Sequence, residues 1–358
     1  MDLGQIHPSF RNGAAFSVTA RPILNDQLFL ALDYVEVPSG RFAGGACDDS
    51  PEGAMVRARS EATERASLIE NGPLMVISRD EALARGLCLF TPHDILDDAD
   101  DWVPARRATT GEGAGVPADT ALLGRVSPGM RVLPWRQSSV GTAAHPDRDT
   151  AGTSGILECL ERYAIRRVWT GTATLESATE RLRDLMPPVL AMAFADRQLV
   201  VHAWSVPEMA PVHVTLVLVG RKDRAQATFG AGAGFEEDRA LLHALHEAVM
   251  VRASLGNRAN RNEREYQRGA RSASHQEVFL TYLRNLERPA DESEATNRVP
   301  ITPSDLPVLV EERFGVAPLL IDVPSLNADA VVKAVIPSAE FLTPRTGGDY
   351  ICAPGYLD

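Results

Sequence analysis

The stretch "LECLERYAIRR" at residues 157–167 places two glutamates and an arginine within one turn of a predicted helix, in the order ExxER. A second ExxER group occurs in "EATERAS" at residues 61–67. Side chains three and four positions apart are neighbours on a helix, and such groups usually form exposed ion pairs worth about 0.2–0.5 kcal/mol. The residues concerned are Glu61, Glu64, Arg65, Glu158, Glu161 and Arg162.

The neighbours of the second group argue against an exposed ion pair. At 100° per residue, the helix face that carries Glu158 and Glu161 also carries small and apolar side chains. These are Ala151, Ser154, Gly155 and Ile165, while Ile156, Leu160 and Tyr163 lie on the opposite face. A solvated face is not built from such residues, so the helix is predicted to be covered on both sides.

Two further helices repeat this pattern. Ala54, Ala58 and Leu68 flank the first ExxER group, and Glu247 shares a face with Ala240, Ala244 and Val251. Removing each carboxylate from water costs several kcal/mol unless it is paired. Arginines offset part of that cost, and divalent cations completed by phosphate oxygens would offset the rest. The five glutamates therefore predict a metal–nucleotide site.

Composition excludes several classes of protein. The chain has 358 residues, 44% of them hydrophobic, and a net charge of −12 with a pI of about 5.2. This charge argues against nucleic acid or an anionic membrane as a partner. No signal peptide or run of about 18 apolar residues is present, so a soluble cytoplasmic protein is expected. The only lysines are Lys222 and Lys333, so a GxxxxGK nucleotide loop is excluded.

Residue types and periodicity predict an α+β fold with antiparallel or mixed sheets. A helix is expected from about Pro51 to Ile69, and a third helix after residue 235. The predicted strands are "FSVTARPI", "LFLALDYVEV", "PPVLAMAFAD", "LVVHAWSV" and "VHVTLVLVG". The predicted turns and loops are "GRFAGGACDD", "TTGEGAGVPADT" and "GAGAG" at residues 230–234.

We expect a single domain over residues 1–358 with three parts. Residues 1–255 would form the nucleotide-site core and residues 256–300 a polar insert with one exposed helix, "HQEVFLTYLRNLE". Residues 301–358 would form a small α/β segment, with a helix followed by two strands.

Three motifs in order resemble the YcaO family. They are "GGACDDSPEGAMVRARSEATER", "SSVGTAAHPDRDTAGTSGILECLER" and "GAGAGFEEDRALLHALHEAVMVR", followed by the ending "LLIDVPSLNADAVVKAVIP". The resemblance implies the YcaO-type fold, in which three glutamate-bearing helices converge on an ATP and Mg²⁺ site. It also implies phosphorylation of a peptide backbone amide, after which a neighbouring side chain forms an azoline ring or an external nucleophile gives a thioamide or amidine.

The resemblance assigns roles residue by residue. Metal positions fall on Glu61, Glu64, Glu158, Glu161 and Glu247, and nucleotide positions on Arg65, Ser139, Arg162, His243 and Arg252. The implied partners are a precursor peptide, a leader-peptide-binding protein and a dehydrogenase, with neither nucleic acid nor membrane. No residue is assigned as catalytic.

Several nucleotide-contact positions differ from the family pattern. The lysine of the first motif falls near Cys47, a serine is replaced by Arg57, and an arginine by His243; an asparagine and a glutamate fall near Pro146 and Thr150. Two hypotheses therefore stay open, an ATP-dependent enzyme of peptide modification and a degenerate, non-catalytic subunit that binds a peptide or partner enzyme. Lesser alternatives are a metal site at His243 and His246, a phosphate loop at residues 230–234 and a nucleophilic Cys47.

Overall fold

The computed structural model describes residues 10–11, 14–38, 40–70, 75–90, 101–123, 139–221, 224–259, 275–288, 301–327 and 329–337. Over these residues it consists of three antiparallel or mixed sheets with helices packed against them. The α+β prediction is confirmed. Among the described residues, no helix is both long and apolar enough to span a bilayer.

The first sheet is an antiparallel meander followed by a helix. Its strand order is β1-β2-β3-β4, and helix α1 packs across the last two strands. The elements are β1 (Phe10–Arg11), β2 (Ala14–Ile23), β3 (Leu28–Val37), β4 (Gly40–Asp48) and α1 (Pro51–Glu70).

The second sheet is also an antiparallel meander followed by a helix, α7, in the order β10-β11-β12-β13. Its inner strands are almost wholly buried. The elements are β10 (Glu176–Ser177), α5 (Thr179–Leu185), α6 (Pro188–Asp196), β11 (Leu199–Ser205), β12 (His213–Arg221), β13 (Arg224–Gly234) and α7 (Glu237–Ala259).

The third sheet joins the middle of the chain to its C-terminal part. Its order is β6-β8-β7-β14-β15-β9, with β5 paired to β7, and the long helix α4 packs on β15 and β9. The elements are β5 (Ile77–Ser78), α2 (Arg79–Ala84), β6 (Cys88–Leu89), β7 (Asp101–Arg107), β8 (Gly113–Pro117), α3 (Ala118–Ala121), β9 (Thr142–His145), α4 (Arg148–Trp169), β14 (Leu319–Val323) and β15 (Ala330–Val335).

Two more helices lie between the second sheet and β14, namely α8 (His275–Leu286) and α9 (Leu306–Phe314). The C-terminal order of helix, strand and strand is confirmed. Helix α8 was expected to be exposed, but Leu283 is fully buried in the largest core cluster and Tyr282 donates to the Val168 carbonyl at 2.6 Å. One face of α8 therefore packs on the body of the protein.

The first two sheets are built from one repeated unit with an offset of 186 residues. Helices α1 and α7 begin at the equivalent residues 51 and 237. A Cβ on Gly44 would lie 2.0 Å from the Ala58 carbonyl oxygen, and a Cβ on Gly230 would lie 2.0 Å from that of Ala244. The equivalent glycine thus leaves room for the equivalent turn of helix in each unit. Since the last strand and the helix that follows it pack in the same register in both units, this strand–helix pair is a repeated structural unit.

Glycine-rich strands account for two wrong predictions. The stretch "GRFAGGACDD" was predicted to be a turn and "GAGAG" a loop, but they lie in β4 and β13. Glycine and alanine stand there because a helix backbone packs directly on the strand, as Gly44 and Gly230 show. This packing also removes the phosphate-loop alternative for residues 230–234.

Two other stretches also differ from prediction. "PPVLAMAFAD" forms helix α6, starting at Pro188, rather than a strand. A short, continuous apolar run does not distinguish a buried strand from a buried helix, and proline suits a first helical turn. Part of "TTGEGAGVPADT" forms β8 and α3 instead of a loop.

Candidate functional site

The glutamates of the three helices lie beside an edge strand of each sheet, on the side where that strand has no strand partner. The edge strands β4, β13 and β9 have backbone N–H groups without a strand partner on one side. Four glutamates accept hydrogen bonds from N–H groups on, or one residue before, these strands. The pairs are Gly45–Glu61 (2.6 Å), Ala231–Glu247 (3.0 Å), Ala144–Glu64 (2.9 Å) and Gly141–Glu158 (3.0 Å).

Both ExxER arginines lie beside these carboxylates. Arg65 donates through Nη2 to Glu61 Oε1 at 2.5 Å and through Nη1 to the Ala43 carbonyl at 2.6 Å. The guanidinium of Arg162 lies 3.6 Å from carboxylate oxygens of both Glu158 and Glu161. The arginines therefore neutralise part of the charge from within the same helices.

The five glutamates lie close enough to affect one another's pKa, and most are partly exposed; this cluster is here called the recess. Glu161 is buried, with 5% of its surface exposed, whereas the side chains of Glu61 and Glu158 are each 30% exposed. Glu64 and Glu247 are also partly exposed. The expected burial on both helix faces of α4 is confirmed for Ala151, Gly155, Ile156, Leu160 and Ile165, whereas Ser154 is exposed and Tyr163 is partly buried.

Desolvation and mutual repulsion disfavour the charged carboxylates. Desolvation, as the largest cause, raises the pKa of Glu61, of Glu158 and, most strongly, of Glu64, and neighbouring glutamates add to each shift. The pKa of Glu161 is raised to about 8, again by desolvation first, with Glu247 and Glu158 adding to the shift against Arg162. Ionisation of the whole cluster is therefore unfavourable, and its two arginines offset only part of that cost.

A buried lysine also contacts the recess. Lys333 on β15 is 2% exposed and donates to the Val140 carbonyl at 3.1 Å. Desolvation lowers its pKa to about 8, and its positive charge lowers the pKa of Glu158 in turn. Sequence reasoning missed Lys333 as a site residue; its signal was the rarity of lysine in a chain whose positive charge is almost all arginine.

Ser139, a predicted nucleotide-binding residue, begins a turn that hydrogen bonds hold in place. Its carbonyl accepts from Thr142 N at 3.0 Å, and Gly141, at φ +83°, donates to Glu158. A Cβ on Gly141 would lie 2.3 Å from the Ala334 carbonyl oxygen, so this position requires glycine. The turn that Ser139 begins contacts Glu158 through Gly141, and the role of Ser139 itself stays a prediction.

His243 reaches the recess beside Arg57, and both differ from the pattern described above. Its Nδ1 lies 3.2 Å from Arg57 Nη1, and Arg57 Nε lies 3.1 Å from Asp48 Oδ2. His243 keeps exposed surface, yet surrounding protein atoms lower its pKa by desolvation, and Glu247 opposes that shift. Neighbouring His246 has a pKa lowered to about 4 by desolvation and by Arg57.

Arg252, a predicted nucleotide-binding residue, lies apart from the other predicted site residues. It follows Glu247 by five residues, which turns its side chain by about 140° around α7. It lines a different cleft of about 720 Å³ with residues that include Leu24, Leu199 and Val249. The other nine predicted site residues are absent from the lining of that cleft.

The residues present fit Mg²⁺ and phosphate by charge and by oxygen chemistry. Carboxylate oxygens are the ligands that Mg²⁺ prefers, and neighbouring glutamates raise one another's pKa, a repulsion that a divalent cation would relieve. Within the described ranges, no three His, Cys, Asp or Glu side chains already surround a common metal position. Cys47 is a poor nucleophile, because burial raises the pKa of its thiol to about 12.

Comparison with known proteins gives a family match. The family model "YcaO cyclodehydratase, ATP- and Mg²⁺-binding" matches residues 45–340. A search of curated proteins found no significant match.

Solved structures share the fold at low identity. YcaO from Methanopyrus kandleri, bound with AMPPCP and Mg²⁺, is 18% identical with a TM-score of 0.67, over 93% of this chain and 86% of that one. The E. coli microcin synthetase McbBCD complex with pro-MccB17 bound is 16% identical with a TM-score of 0.65, over 93% and 90%. A heterocyclase in complex with substrate and cofactor is 15% identical with a TM-score of 0.68, over 90% of this chain.

The present chain spans about half of that heterocyclase, 49% of its length. The expected YcaO-type fold is confirmed by these likenesses. The expected cofactors, ATP and Mg²⁺, are confirmed at the level of the family by its description. Since the family model covers most of the sequence, the chain belongs to the YcaO family.

Proposed function

We propose that the protein is an ATP- and Mg²⁺-dependent enzyme that activates backbone amides of a ribosomally synthesised precursor peptide to form azoline heterocycles. One observation carries the proposal: five glutamates from three helices converge on a single recess, and four of them are fixed by backbone N–H groups at the sheet edges. Fixed carboxylates of this kind are pre-organised for cations, because they need little rearrangement on binding.

The chain's own residues divide the work as follows. Glu61, Glu64, Glu158, Glu161 and Glu247 would hold Mg²⁺, while Arg65, Arg162, Ser139 and His243 would contact the phosphates. When bound, ATP and Mg²⁺ supply the phosphoryl group that converts an amide oxygen into a leaving group. Phosphoryl transfer needs positioned cations more than a protein nucleophile, which agrees with the inert Cys47. The role of Arg252 stays a prediction without support from its position.

The substrate and partner assignments rest on the family and on the contents of similar structures. One similar structure contains a substrate and another contains pro-MccB17 within the McbBCD complex. We infer that this chain modifies a peptide presented by a leader-binding partner, with a dehydrogenase acting afterwards. Thioamide or amidine formation are alternative outcomes at the same activated amide. Use of ATP would place the reaction in the cytoplasm.

Co-expression with a short precursor rich in Cys, Ser and Thr tests this proposal. Mass spectrometry should show the loss of one water per azoline ring. A gain that matches exchange of oxygen for sulfur would instead assign thioamide formation. An unmodified peptide beside a folded protein that binds Mg-ATP would contradict peptide modification on that substrate class.

A second candidate function is a non-catalytic subunit that binds a peptide or partner enzyme. The substitutions at Cys47, Arg57 and His243 favour it, because they fall at nucleotide-contact positions of the family. The retained carboxylates oppose it, since they would repel one another in a recess that never receives a cation. Binding of Mg-ATP by the isolated protein separates the two candidates.

A further inference from the structure

Arg57 and His243 occupy equivalent positions in the two repeated units, and they contact each other. They are 186 residues apart, which is the offset that also relates Glu61 to Glu247, and Arg57 Nη1 lies 3.2 Å from His243 Nδ1. A contact between equivalent residues is expected where two copies of a unit face each other in an approximately twofold arrangement. The pair therefore lies where the two units meet beside the recess.

The contact between Arg57 and His243 determines which of their atoms can donate to an anion. A guanidinium can only donate, so Nδ1 of His243 must accept and the neutral ring carries its proton on Nε2. The pair thus combines a permanent cation with an N–H donor. Arg57 is 47% exposed, so a ligand can reach its guanidinium.

Only the first unit orients this arginine. Asp48 Oδ2 lies 3.1 Å from Arg57 Nε, while the position equivalent to Asp48 in the second unit is Gly234. The second unit therefore has neither the guanidinium nor the carboxylate that directs it. Arg65 and Arg162 pair with the glutamates themselves, whereas Arg57 is directed by an aspartate outside the glutamate cluster.

We propose that Arg57 binds the phosphate groups of the nucleotide, supplying from the first unit the guanidinium that position 243 of the second unit lacks. Because positions 57 and 243 are equivalent and in contact, a guanidinium from either helix can serve the same region of the recess. The substitutions at 57 and 243 are then a coupled exchange across the two units rather than two separate losses. This inference rests on the proposed function of the site.

Relocating the arginine tests the inference. Affinity for Mg-ATP is measured by titration calorimetry on the full chain, for wild type, Arg57→Ser, and the double variant Arg57→Ser with His243→Arg. A charge-assisted hydrogen bond is worth roughly 1.5–3 kcal/mol, so Arg57→Ser should weaken Mg-ATP binding by about tenfold or more. The double variant should recover most of that loss.

Controls separate this inference from the function on which it rests. Arg85→Ser removes an exposed arginine that also pairs with a carboxylate, Glu81, and should bind Mg-ATP as wild type does. Should Arg57→Ser fail to fold, Arg57→Met keeps the aliphatic stem and must show the same weakening. Wild-type affinity in the folded Arg57 variant, or no recovery in the double variant, overturns the inference alone. A wild type that does not bind Mg-ATP overturns the proposed function, and this inference falls with it.

Discussion

Glu61 and Glu247 accept hydrogen bonds from equivalent backbone N–H groups in the two repeated units, from Gly45 at 2.6 Å and from Ala231 at 3.0 Å. Both bonds span 16 residues and both join a helix to the edge strand beneath it. The two carboxylates also interact, since Glu247 raises the pKa of Glu61. The recess is therefore built in part by duplication of a strand–helix unit, with α4 adding Glu158 and Glu161 and the region of β9 adding backbone N–H donors to Glu64 and Glu158.

Replacing single glutamates of α4 should separate a cation site from a structural ion pair. Glu158→Gln and Glu161→Gln should abolish the stabilisation by Mg-ATP and leave the ligand-free protein as stable as before or more stable, because like-charge repulsion is removed. Thermal unfolding with and without Mg-ATP measures both effects. If the glutamates serve mainly to pair Arg162, each variant should instead lose up to several kcal/mol of unfolding free energy in the absence of ligand.

The raised pKa of Glu161 predicts how stability depends on pH. Because the folded-state pKa, about 8, exceeds the ordinary value of 4.5, the folded protein binds the proton more tightly than the unfolded chain. Stability from this group is therefore fully present below pH 4.5 and is lost as pH rises towards 8. The slope is at most about 1.4 kcal/mol per pH unit.

Comparison with Glu161→Gln isolates this group from others that titrate nearby. His246, with a pKa lowered to about 4, changes stability in the opposite direction below its ordinary pKa of 6.5. In metal-free buffer, urea unfolding at several pH values should show wild type losing stability relative to the Gln variant as pH rises to 8. A constant difference across that window would contradict the assignment.

Periodicity and residue type were sufficient to predict much of the site. The ExxER helices, the helix that carries Glu247 and the flanking small residues were identified because helix faces can be read from spacing alone. The backbone N–H groups that bind the glutamates could not be predicted, because no side-chain pattern indicates which strand lies beneath each helix. Lys333 was missed as a site residue because it reaches the recess through tertiary contacts, and Arg57 was identified only as a substituted nucleotide-contact position.

The repeated unit was equally hidden in the sequence. Identical pairs such as Gly44 and Gly230, or Glu61 and Glu247, are scattered among unlike residues. Moreover, the glycines that pack a helix onto a strand are the residues that usually indicate turns, so β4 and β13 were predicted wrongly. Only the packing distances show that these glycines make room for a helix backbone in both units.

Two adjacent glycines of β4 test the helix-on-strand packing. A Cβ on Gly44 would lie 2.0 Å from the Ala58 carbonyl oxygen and 2.5 Å from Ala62 N, both backbone atoms that cannot move alone. Gly44→Ala should therefore cost about 1–3 kcal/mol of unfolding free energy or more. The matched control is Gly45→Ala, whose nearest neighbour is the flexible tip of Leu32 at 3.3 Å.

Urea denaturation of the two alanine variants measures the difference. Gly45→Ala should stay close to wild type, since a leucine side chain can shift by a few tenths of an ångström. Equal destabilisation of both variants would show that the helix backbone does not press on β4 at Gly44. The equivalent change, Gly230→Ala, should behave as Gly44→Ala does, because its Cβ would meet Ala244 in the same way.

If the recess binds Mg²⁺ and ATP, the free energy of unfolding of the wild type must depend on them. A ligand that binds only the folded state at one hundred times its Kd should stabilise it by about 2.7 kcal/mol. Such a gain is expected with Mg-ATP in the wild type, and none in Glu158→Gln or Glu161→Gln. No gain in the wild type at millimolar Mg-ATP, together with destabilised ligand-free Gln variants, would contradict it.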